Sequence, residues 1–418
     1  MTWCLVGSEM CIRDSSYIYI QGPPGTGKTF QASNAIIELL KQNKKIAITG
    51  LSHKVIHNLL QRVEDMAAEK QFKFNGLKKG NLEDDDTIFK GENIKTYEKD
   101  PPFMDALKEK NVGNIFAGTK YHLANSYYDE KIDYLFIDEA GQLSLADLIS
   151  IGNIAKNIVL IGDQNQLGQP IRGTHPNNSG QSILEYLLEG KDTIPEDKGI
   201  FLNKTYRLNS KINNFISSNF YEERLICDDR TDKRIIKFNN KSIIKKDGIH
   251  YVEMKHKNNV QTSIEEFDVV KSLMKQLIGV EFDDNGKKRK LTANDFLIIS
   301  PYNTQVNLLI SKLEEEKIKN PRVGTIDKFQ GQEAPIAIIS MTSSDSDSLP
   351  RNKEFFFNRN RLNVAISRAQ VVSIILFNPN LLDSSPKNLE QIKLMNNFFK
   401  FLNYKVCLLY TSDAADEV

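Results

Sequence analysis

The segment Tyr17–Lys41 constrains the fold more than any other part of the chain. A short apolar strand, Tyr17–Ile20, runs into Gly22-Pro-Pro-Gly-Thr-Gly-Lys-Thr29, and a helical pattern follows from about Phe30. The pattern G-x-x-x-x-G-K-T between a strand and a helix predicts a phosphate-binding loop, because glycine lets backbone N–H groups curl around phosphate oxygens. The helix N-terminus adds partial positive charge at the same place. The segment therefore predicts a phosphate-binding α/β unit.

Individual residues of this loop have predictable roles. Gly22, Gly25 and Gly27 shape the backbone. Lys28 is expected to reach the β- and γ-phosphates of a nucleotide, and the Thr29 hydroxyl is expected to bind Mg²⁺. The alternative, a fortuitous glycine turn, is disfavoured by the flanking strand and helix.

A second chemical signal is the acidic pair Asp138-Glu139, which directly follows the apolar strand Tyr134–Ile137. A carboxylate at a strand end near a phosphate loop suits a Mg²⁺ ligand, so Asp138 is predicted to take that role. Glu139 is predicted to orient and deprotonate an attacking water. The alternative is an acidic pair that only complements a helix dipole. Combined with the loop, the pair predicts a P-loop ATPase or GTPase.

The rest of the chain alternates short apolar strands with helical stretches, which is typical of parallel α/β sheets. A first set of strands is predicted at Lys45–Thr49, Asn114–Ala117, Asp133–Ile137 and Asn157–Ile161. A second set is predicted at Ile249–Glu253, Asp295–Ser300, Arg322–Thr325, Ile336–Met341 and Val371–Phe377. We therefore expect two α/β domains in tandem.

Two segments depart from this alternation. Residues from about 64 to 111 are polar, and we interpret them as a small, mostly helical insertion on the first domain, since so long a structureless loop is uncommon inside a domain. Phe282–Arg289 is predicted to be an exposed hairpin or loop.

The two ends of the chain are related at the level of DNA. Met10–Ser15 can be back-translated as ATG TGT ATA AGA GAC AGN, and Cys407–Ser412 as TGT CTC TTA TAC ACA TCN. With a C before the second string, the two are reverse complements and resemble translated transposon-type sequencing adapters. We therefore expect residues 1–15 and 406–418 to stand outside the fold, and the gene to extend upstream of Ser16.

Excluding these ends changes the charge and the cysteine content. One basic residue is removed from 55 and five acidic residues are removed from 54, which leaves 54 against 49, a mildly basic core compatible with a polyanion. Only Cys227 remains, so a disulfide framework, a cysteine zinc site and an iron–sulfur cluster lack ligands. No apolar run reaches the roughly 18 residues of a membrane-spanning helix, so we expect no membrane partner. Without an export signal, the cytoplasm is the default location.

Six further motifs follow the phosphate loop in order. They are Asp138–Gln142, Gly162–Leu167, Thr205–Arg207, Ser300–Gln305, Gly324–Glu333 and Arg361–Ala369. With the loop, they resemble the motifs of superfamily 1 helicases, in the group B branch that includes the nonsense-mediated-decay RNA helicase and the Dna-two-like nuclease–helicases. Within that branch, three stretches resemble the helicase half of prokaryotic proteins that fuse a RecB-type nuclease to a helicase: Ser52–Leu60, Gly162–Pro170 and Asp327–Pro335.

The resemblance implies a fold and its division along the chain. It covers residues 16–405 and implies two tandem RecA-like P-loop domains with parallel sheets. The first would be residues 16–198 and the second residues 199–405.

It also implies roles for residues that bind or hydrolyse Mg-ATP. Gln142 and Gln166 would sense the γ-phosphate, with loop capping as the alternative. Tyr206 would stack on adenine, and Glu333 would hydrogen-bond the ribose. The arginine fingers would be Arg207 and Arg368, with a structural salt bridge as the alternative for each.

Nucleic acid would lie across the carboxyl ends of both sheets. The candidate contacts are Ser52 and Lys54 in the first domain, and Tyr302, Gln305, Thr325 and Lys328 in the second. Phosphate contacts and base stacking suit sequence-independent grip on a single strand. The alternative for each residue is a solvated polar face.

The expected function is thus an ATP-dependent, 5′-to-3′ helicase or translocase on single-stranded nucleic acid, with DNA favoured over RNA. Hydrolysis would be coupled to closure of the two domains, and a RecB-type nuclease domain upstream is a possible fused partner. One alternative is a nucleic-acid-stimulated ATPase that remodels complexes without unwinding. Another is a non-catalytic nucleic-acid clamp of a larger nuclease.

Overall fold

The computed structural model describes residues 16–110, 112–168, 179–239, 242–345, 357–383, 389–404 and 406–409. The chain divides into two compact units, Met1–Asn203 and Lys204–Val418. The boundary lies beyond the expected residue 198, because the strand Gly199–Phe201 pairs with Tyr19–Gln21 of the first unit.

The first unit is built on an eight-stranded sheet in which every pairing is parallel. Its strands are β1 (Tyr17–Gln21), β2 (Ile46–Thr49), β3 (Asn75–Lys79), β4 (Ile94–Tyr97), β5 (Asn114–Ala117), β6 (Ile132–Ile137), β7 (Ala155–Gly162) and β8 (Gly199–Phe201). They lie in the order β4-β3-β5-β2-β6-β7-β1-β8. The carboxyl ends of these strands therefore meet at one edge, where ligands bind in open α/β sheets.

Helices pack against this sheet through apolar faces. They are α1 (Lys28–Lys41), α2 (His53–Glu69), α3 (Pro101–Lys108), α4 (Lys120–Leu123), α5 (Leu145–Gly152) and α6 (Ile183–Leu188). In α1, Ile36, Ile37 and Leu40 are buried at the three- and four-residue spacing of one helix face. Two apolar clusters result, and each contains buried residues from the sheet.

The segment predicted as a mostly helical insertion contains the helix α3 but also the strands β3 and β4, so it forms part of the main sheet and is not an insertion on it. β3 lies between β4 and β5. The strand signal was hidden because a lysine, Lys78, occupies a fully buried position of β3. Its amine donates hydrogen bonds to the Thr87 carbonyl at 2.6 Å and contacts His53 Nδ1 at 2.7 Å, which compensates for its burial.

The second unit contains a six-stranded sheet in which every pairing is parallel. Its strands are β12 (Gly248–Glu253), β15 (Phe296–Ile299), β16 (Val323–Gly324), β17 (Ala334–Ser340), β18 (Ala369–Phe377) and β19 (Val406–Leu409). They lie in the order β16-β15-β17-β18-β12-β19. A two-stranded sheet joins β9 (Lys204–Thr205) to β10 (Ile226–Cys227). A three-stranded antiparallel sheet contains β11 (Arg234–Ile236), β13 (Glu281–Asp284) and β14 (Lys287–Lys290).

The helices of the second unit are α7 (Ser210–Phe220), α8 (Ile264–Leu277), α9 (Asn303–Glu315), α10 (Arg359–Ile366) and α11 (Leu389–Tyr404). A cluster of buried aliphatic and aromatic residues surrounds the larger sheet. The strands predicted within both large sheets agree with the observed ones to within two residues at each end.

The structure describes only part of the two chain ends. Residues 1–15 and 410–418, which the sequence places outside the fold, lie outside the described residues. Val406–Leu409, from the same adapter-like end, pairs in parallel with His250–Glu253 of β12. In the described part of the chain, no helix has the length and apolar character to cross a membrane.

Candidate nucleotide and nucleic-acid sites

The predicted phosphate loop connects the carboxyl end of β1 to the first residue of α1. Gly25 and Gly27 adopt left-handed backbone conformations, with φ of 74° and 76°, which favour glycine. The Thr26 hydroxyl donates to the Pro23 carbonyl at 2.8 Å and closes the turn. At the start of the loop, the Gly22 amide donates to the Gly162 carbonyl of β7 at 2.9 Å. The loop is thus fixed at the sheet edge where the sequence placed it.

Gly22 also makes room for the lysine of the motif. The Lys28 amine donates to the Gly22 carbonyl at 2.6 Å, and a Cβ added at Gly22 would lie 2.0 Å from Lys28 Cγ. The lysine therefore folds back over the loop, which requires glycine at its first position. Thr29 follows in the first turn of α1 and is half-buried.

Asp138 and Glu139 follow β6 at the same edge. The Asp138 amide donates to the Thr49 carbonyl of β2 at 3.0 Å, and its carboxylate accepts the Glu139 amide at 2.9 Å. Burial and, to a smaller extent, the neighbouring Glu139 charge raise the pKa of Asp138 to about 7, although the Lys28 charge opposes the shift. Glu139 has a φ of 53°, a conformation that costs a non-glycine residue energy and is concentrated at functional sites.

The two predicted γ-phosphate sensors are buried beside this pair. Gln166 Nε2 donates to the Asp163 carboxylate at 2.8 Å, which fixes the amide. Gln142 is 7% exposed, and its Nε2 has no hydrogen-bond partner within the described residues. A buried amide without a partner is costly, so Gln142 has a donor that a ligand could satisfy.

These residues fit a magnesium–nucleotide complex. Thr29 and Asp138 supply the hydroxyl and carboxylate oxygens that Mg²⁺ prefers, and the loop supplies backbone N–H groups. Across residues 16–110 and the other described ranges, no cluster of three His, Cys, Asp or Glu side chains could hold a metal. Such a cluster is not required, because Mg²⁺ is usually bound by one or two carboxylates together with substrate phosphates.

The second unit holds Arg207 and Glu333 together. Arg207 is 9% exposed, its Nε donates to the Glu333 carboxylate, and its Nη1 donates to the Ser367 carbonyl at 3.3 Å. Glu333 also accepts a hydrogen bond from Gln370 Nε2 at 2.7 Å. Burial favours a higher pKa for Glu333, but the Arg207 and Gln370 contacts outweigh it and lower the pKa.

Tyr206, the predicted adenine-stacking residue, is exposed beside Arg207. The Arg230 guanidinium lies 5.4 Å from the centre of its ring, within cation–π range. Arg230 is oriented by Asp228, which accepts its Nε at 2.7 Å. The tyrosine ring is therefore accessible to a base but partly covered by a cation.

Arg368, the second predicted arginine finger, is 1% exposed in this structure. Its Nε donates to the Val364 carbonyl at 3.0 Å, and its Nη1 donates to the Phe329 and Gln332 carbonyls at 3.3 and 3.0 Å. These contacts hold the guanidinium inside the second unit and assign it a packing role in this conformation.

The two nucleic-acid candidates of the first unit lie at the start of α2. Ser52 is exposed and caps the helix, since its Oγ accepts the Val55 amide at 3.3 Å. Lys54 is exposed in the first turn of the helix. Both are accessible to a polymer.

Two candidates in the second unit are buried, so the prediction that they contact nucleic acid directly is contradicted. Gln305 is fully buried, accepts the Ser263 amide at 2.8 Å and donates to the Ser340 hydroxyl at 3.2 Å. Tyr302 is 5% exposed, and its hydroxyl accepts Ser343 Oγ at 3.4 Å. Both side chains support the carboxyl edge of the sheet because their polar atoms find partners inside the unit.

The remaining two candidates stay near the surface. Thr325 is half-buried after β16, and Lys328 is exposed. The Lys328 amine donates to the Val323 carbonyl at 3.3 Å, and its stem lies over Gly324. This geometry is compatible with a contact between either residue and the phosphate backbone of a nucleic acid.

Sequence reasoning missed a buried polar network beneath Gln305. The fully buried Glu266 accepts the Thr342 amide at 2.9 Å and the Ser340 hydroxyl, and His256 Nε2 lies 3.3 Å from it. Burial raises the pKa of Glu266. No motif marks Glu266, whose only sequence signal is a carboxylate among the apolar positions of α8.

The chain is similar to known proteins over most of its length. Two family models, each described as an AAA domain, match residues 7–177 and 179–380. The chain is 29% identical to the DNA replication ATP-dependent helicase/nuclease dna2 of Schizosaccharomyces pombe, with 90% of this chain and 27% of that protein covered. It is 27% identical to the DNA polymerase alpha-associated DNA helicase A of the same yeast, with coverage of 84% and 59%.

The human DNA replication ATP-dependent helicase/nuclease DNA2 is 25% identical, with 86% of this chain and 35% of that protein covered. The chain thus spans between 27% and 59% of the length of these three relatives. The chain is therefore similar to proteins named as DNA helicases, and it contains two tandem RecA-like P-loop domains.

Proposed function

We propose that the protein is an ATP-dependent helicase or translocase that moves on single-stranded nucleic acid. The observation that carries the proposal is the arrangement of Lys28 and the Asp138-Glu139 pair at the carboxyl edge of one parallel sheet. Lys28 influences the Asp138 pKa through its charge, so the phosphate-binding and metal-binding groups share one site.

In this proposal the residues of the chain have separate roles. The phosphate loop and Lys28 bind and orient the phosphates, while Thr29 and Asp138 hold Mg²⁺, which supplies charge neutralisation at the phosphates when bound. Glu139 accepts the proton of the attacking water. Arg207 supplies a fixed cation from the second RecA-like domain, so hydrolysis would depend on domain closure.

The choice of polymer rests on the relatives. The names of these relatives describe DNA replication and DNA helicase activities, which favours DNA over RNA as the polymer on which the protein moves. The 5′-to-3′ polarity and a fused RecB-type nuclease rest on the resemblance of the motifs alone and remain parts of the proposal. Ser52, Lys54, Thr325 and Lys328 are the proposed strand contacts.

ATP hydrolysis by the full chain tests this function. Rates are compared without polymer, with single-stranded DNA and with single-stranded RNA, and Lys28→Ala serves as the blank. Stimulation by DNA that the blank loses, together with unwinding of a 5′-tailed duplex, would support the proposal. Stimulation without unwinding would favour a remodelling ATPase. Polymer binding by wild type with no hydrolysis above the blank would favour a non-catalytic clamp.

A further inference from the structure

The three-stranded antiparallel sheet of the second unit ends in a well-defined hairpin. β13 and β14 pair from Glu281↔Lys290 to Asp284↔Lys287. The turn residues Asn285 and Gly286 both have positive φ, 55° and 89°, as the common two-residue hairpin turn requires. The Asp283 carboxylate accepts the Gly286 amide at 2.6 Å. The hairpin is therefore held in one shape.

Its outer strand is entirely basic. β14 reads Lys287-Lys288-Arg289-Lys290, all four residues are exposed, and β14 is the edge strand of its sheet. Arg289 is occupied, because its two terminal nitrogens bind the Asp295 carboxylate at 2.8 and 2.6 Å. Within the described ranges, no ion pair engages Lys287, Lys288 or Lys290.

The three acidic residues of β13 lie opposite the three lysines of β14, and Lys288 also acts electrostatically on Glu281. Two of these acidic residues have ion-pair partners elsewhere: the Lys237 amine lies 2.7 Å from the Glu281 carboxylate, and Arg234 Nε donates to Asp284 at 3.2 Å. The third, Asp283, accepts the turn amide of Gly286. Positive charge remains in excess along the free edge of β14.

The edge suits a duplex better than a single strand. Double-stranded nucleic acid carries about one charge per 1.7 Å of axis, twice the density of one of its strands, so it gains more from a row of lysines. Grip on a single strand usually needs aromatic rings that stack on bases. The aromatic residue of the hairpin, Phe282, is 1% exposed and lies under the Arg289 guanidinium.

The edge is also separate from the proposed single-strand contacts. The hairpin leads through Thr292 and Asp295 into the amino end of β15. Thr325 instead follows the carboxyl end of β16, which pairs in parallel with β15. The two surfaces therefore lie at opposite ends of these strands.

We propose that the exposed edge of β14 is a second nucleic-acid contact, which binds the phosphate backbone of double-stranded DNA through Lys287, Lys288 and Lys290. The inference rests on the proposed function and adds a duplex contact to its single-strand contacts. It would hold the double-stranded part of a tailed substrate without reading its sequence.

The test compares two triple variants of the full chain. The first replaces Lys287, Lys288 and Lys290 by Gln. The second, a matched control, replaces three other exposed lysines of the same unit by Gln: Lys255, Lys257 and Lys319. Binding to a fluorescent blunt duplex of about 20 base pairs is measured between about 50 and 200 mM salt, and binding to a single strand of the same length is measured alongside.

We expect the hairpin variant to bind duplex about tenfold or more weakly, and its log-affinity against log-salt slope to fall by about 2 to 3, since each lost contact removes about 0.9 from the slope. The control should keep the wild-type slope, and basal ATP hydrolysis should be unchanged in both.

Three outcomes overturn the inference. The first is a hairpin variant with the wild-type slope, which would leave the lysines a role in protecting an edge strand from aggregation. The second is an equal loss in both variants, which would be an effect of net charge. The third is wild-type protein that binds single strands but not duplex. Wild-type protein that binds neither polymer and shows no polymer-stimulated hydrolysis would instead contradict the proposed function itself.

Discussion

Arg207 and Glu333 form an ion pair inside the second unit although they lie 126 residues apart in the sequence. Gln370 binds the other carboxylate oxygen of Glu333, and the Ser367 carbonyl binds Arg207 Nη1. The guanidinium is thus oriented by two neighbours. A cation held in place before the reaction can stabilise phosphoryl-transfer charge at little reorganisation cost.

Replacing Arg207 by Ala should lower kcat for ATP hydrolysis about 10³-fold, the scale expected when an arginine finger is lost. Glu333→Gln should lower kcat about tenfold, because it keeps the shape but removes the charge that orients Arg207. Steady-state kinetics on the polymer-stimulated enzyme measures both. Gln370→Ala is the control, since it leaves the ion pair intact. If Glu333→Gln changed KM and left kcat unchanged, Glu333 would act in nucleotide binding and not in orienting Arg207 for catalysis.

Arg368→Met should destabilise the protein more than it slows the chemistry. Removing the guanidinium takes a hydrogen bond from three carbonyl groups in a buried site. The Phe329 and Val364 carbonyls keep the Gln332 amide and the Ser367 hydroxyl as donors, whereas the Gln332 carbonyl loses its donor. An unsatisfied buried group costs about 1–3 kcal/mol, so we expect a loss of that size in the free energy of unfolding measured with urea. The control is Arg361→Met, whose partly exposed contact with Asp327 is worth about 1 kcal/mol or less.

A stable Arg368→Met variant with a large drop in kcat would contradict this assignment. It would mean that Arg368 leaves its buried position and acts as the arginine finger that the motif predicts.

Gly22→Ala should weaken nucleotide binding at least tenfold while the protein stays folded. The new Cβ would lie 2.0 Å from Lys28 Cγ and must displace the lysine from the loop. Gly152→Ala is the matched control, because its Cβ would meet only ordinary contact at 3.7 Å. Binding of a fluorescent ATP analogue, with circular dichroism as the folding check, measures the effect. Equal affinities in the two variants would show that the close approach at Gly22 does not matter.

The features that could be predicted from the sequence are those that depend on a local pattern of residues. The phosphate loop and the Asp138-Glu139 pair follow apolar strands directly, so their meeting at one sheet edge follows from parallel topology. The burial of Gln305 and of Arg368 could not be predicted, because a polar side chain carries no local sign of whether it faces solvent or finds partners inside. Their partners, such as Ser263 and the Phe329 carbonyl, are brought to them only by tertiary packing. The strand β3 was missed for the same reason, since Lys78 is satisfied by residues distant in sequence.

His122 should make the first unit sensitive to acid. Burial and, to a smaller extent, the Lys79 charge lower its pKa to about 4, whereas in the unfolded chain a histidine titrates near 6.5. Between these values the unfolded state binds more protons, so the unfolding free energy falls as the pH drops from about 6.5 to about 4, by up to about 3 kcal/mol. His122→Phe keeps the ring packed on Phe103 and removes the titration. Urea unfolding at several pH values should give this variant a shallower dependence; identical dependences would exclude His122 as the cause.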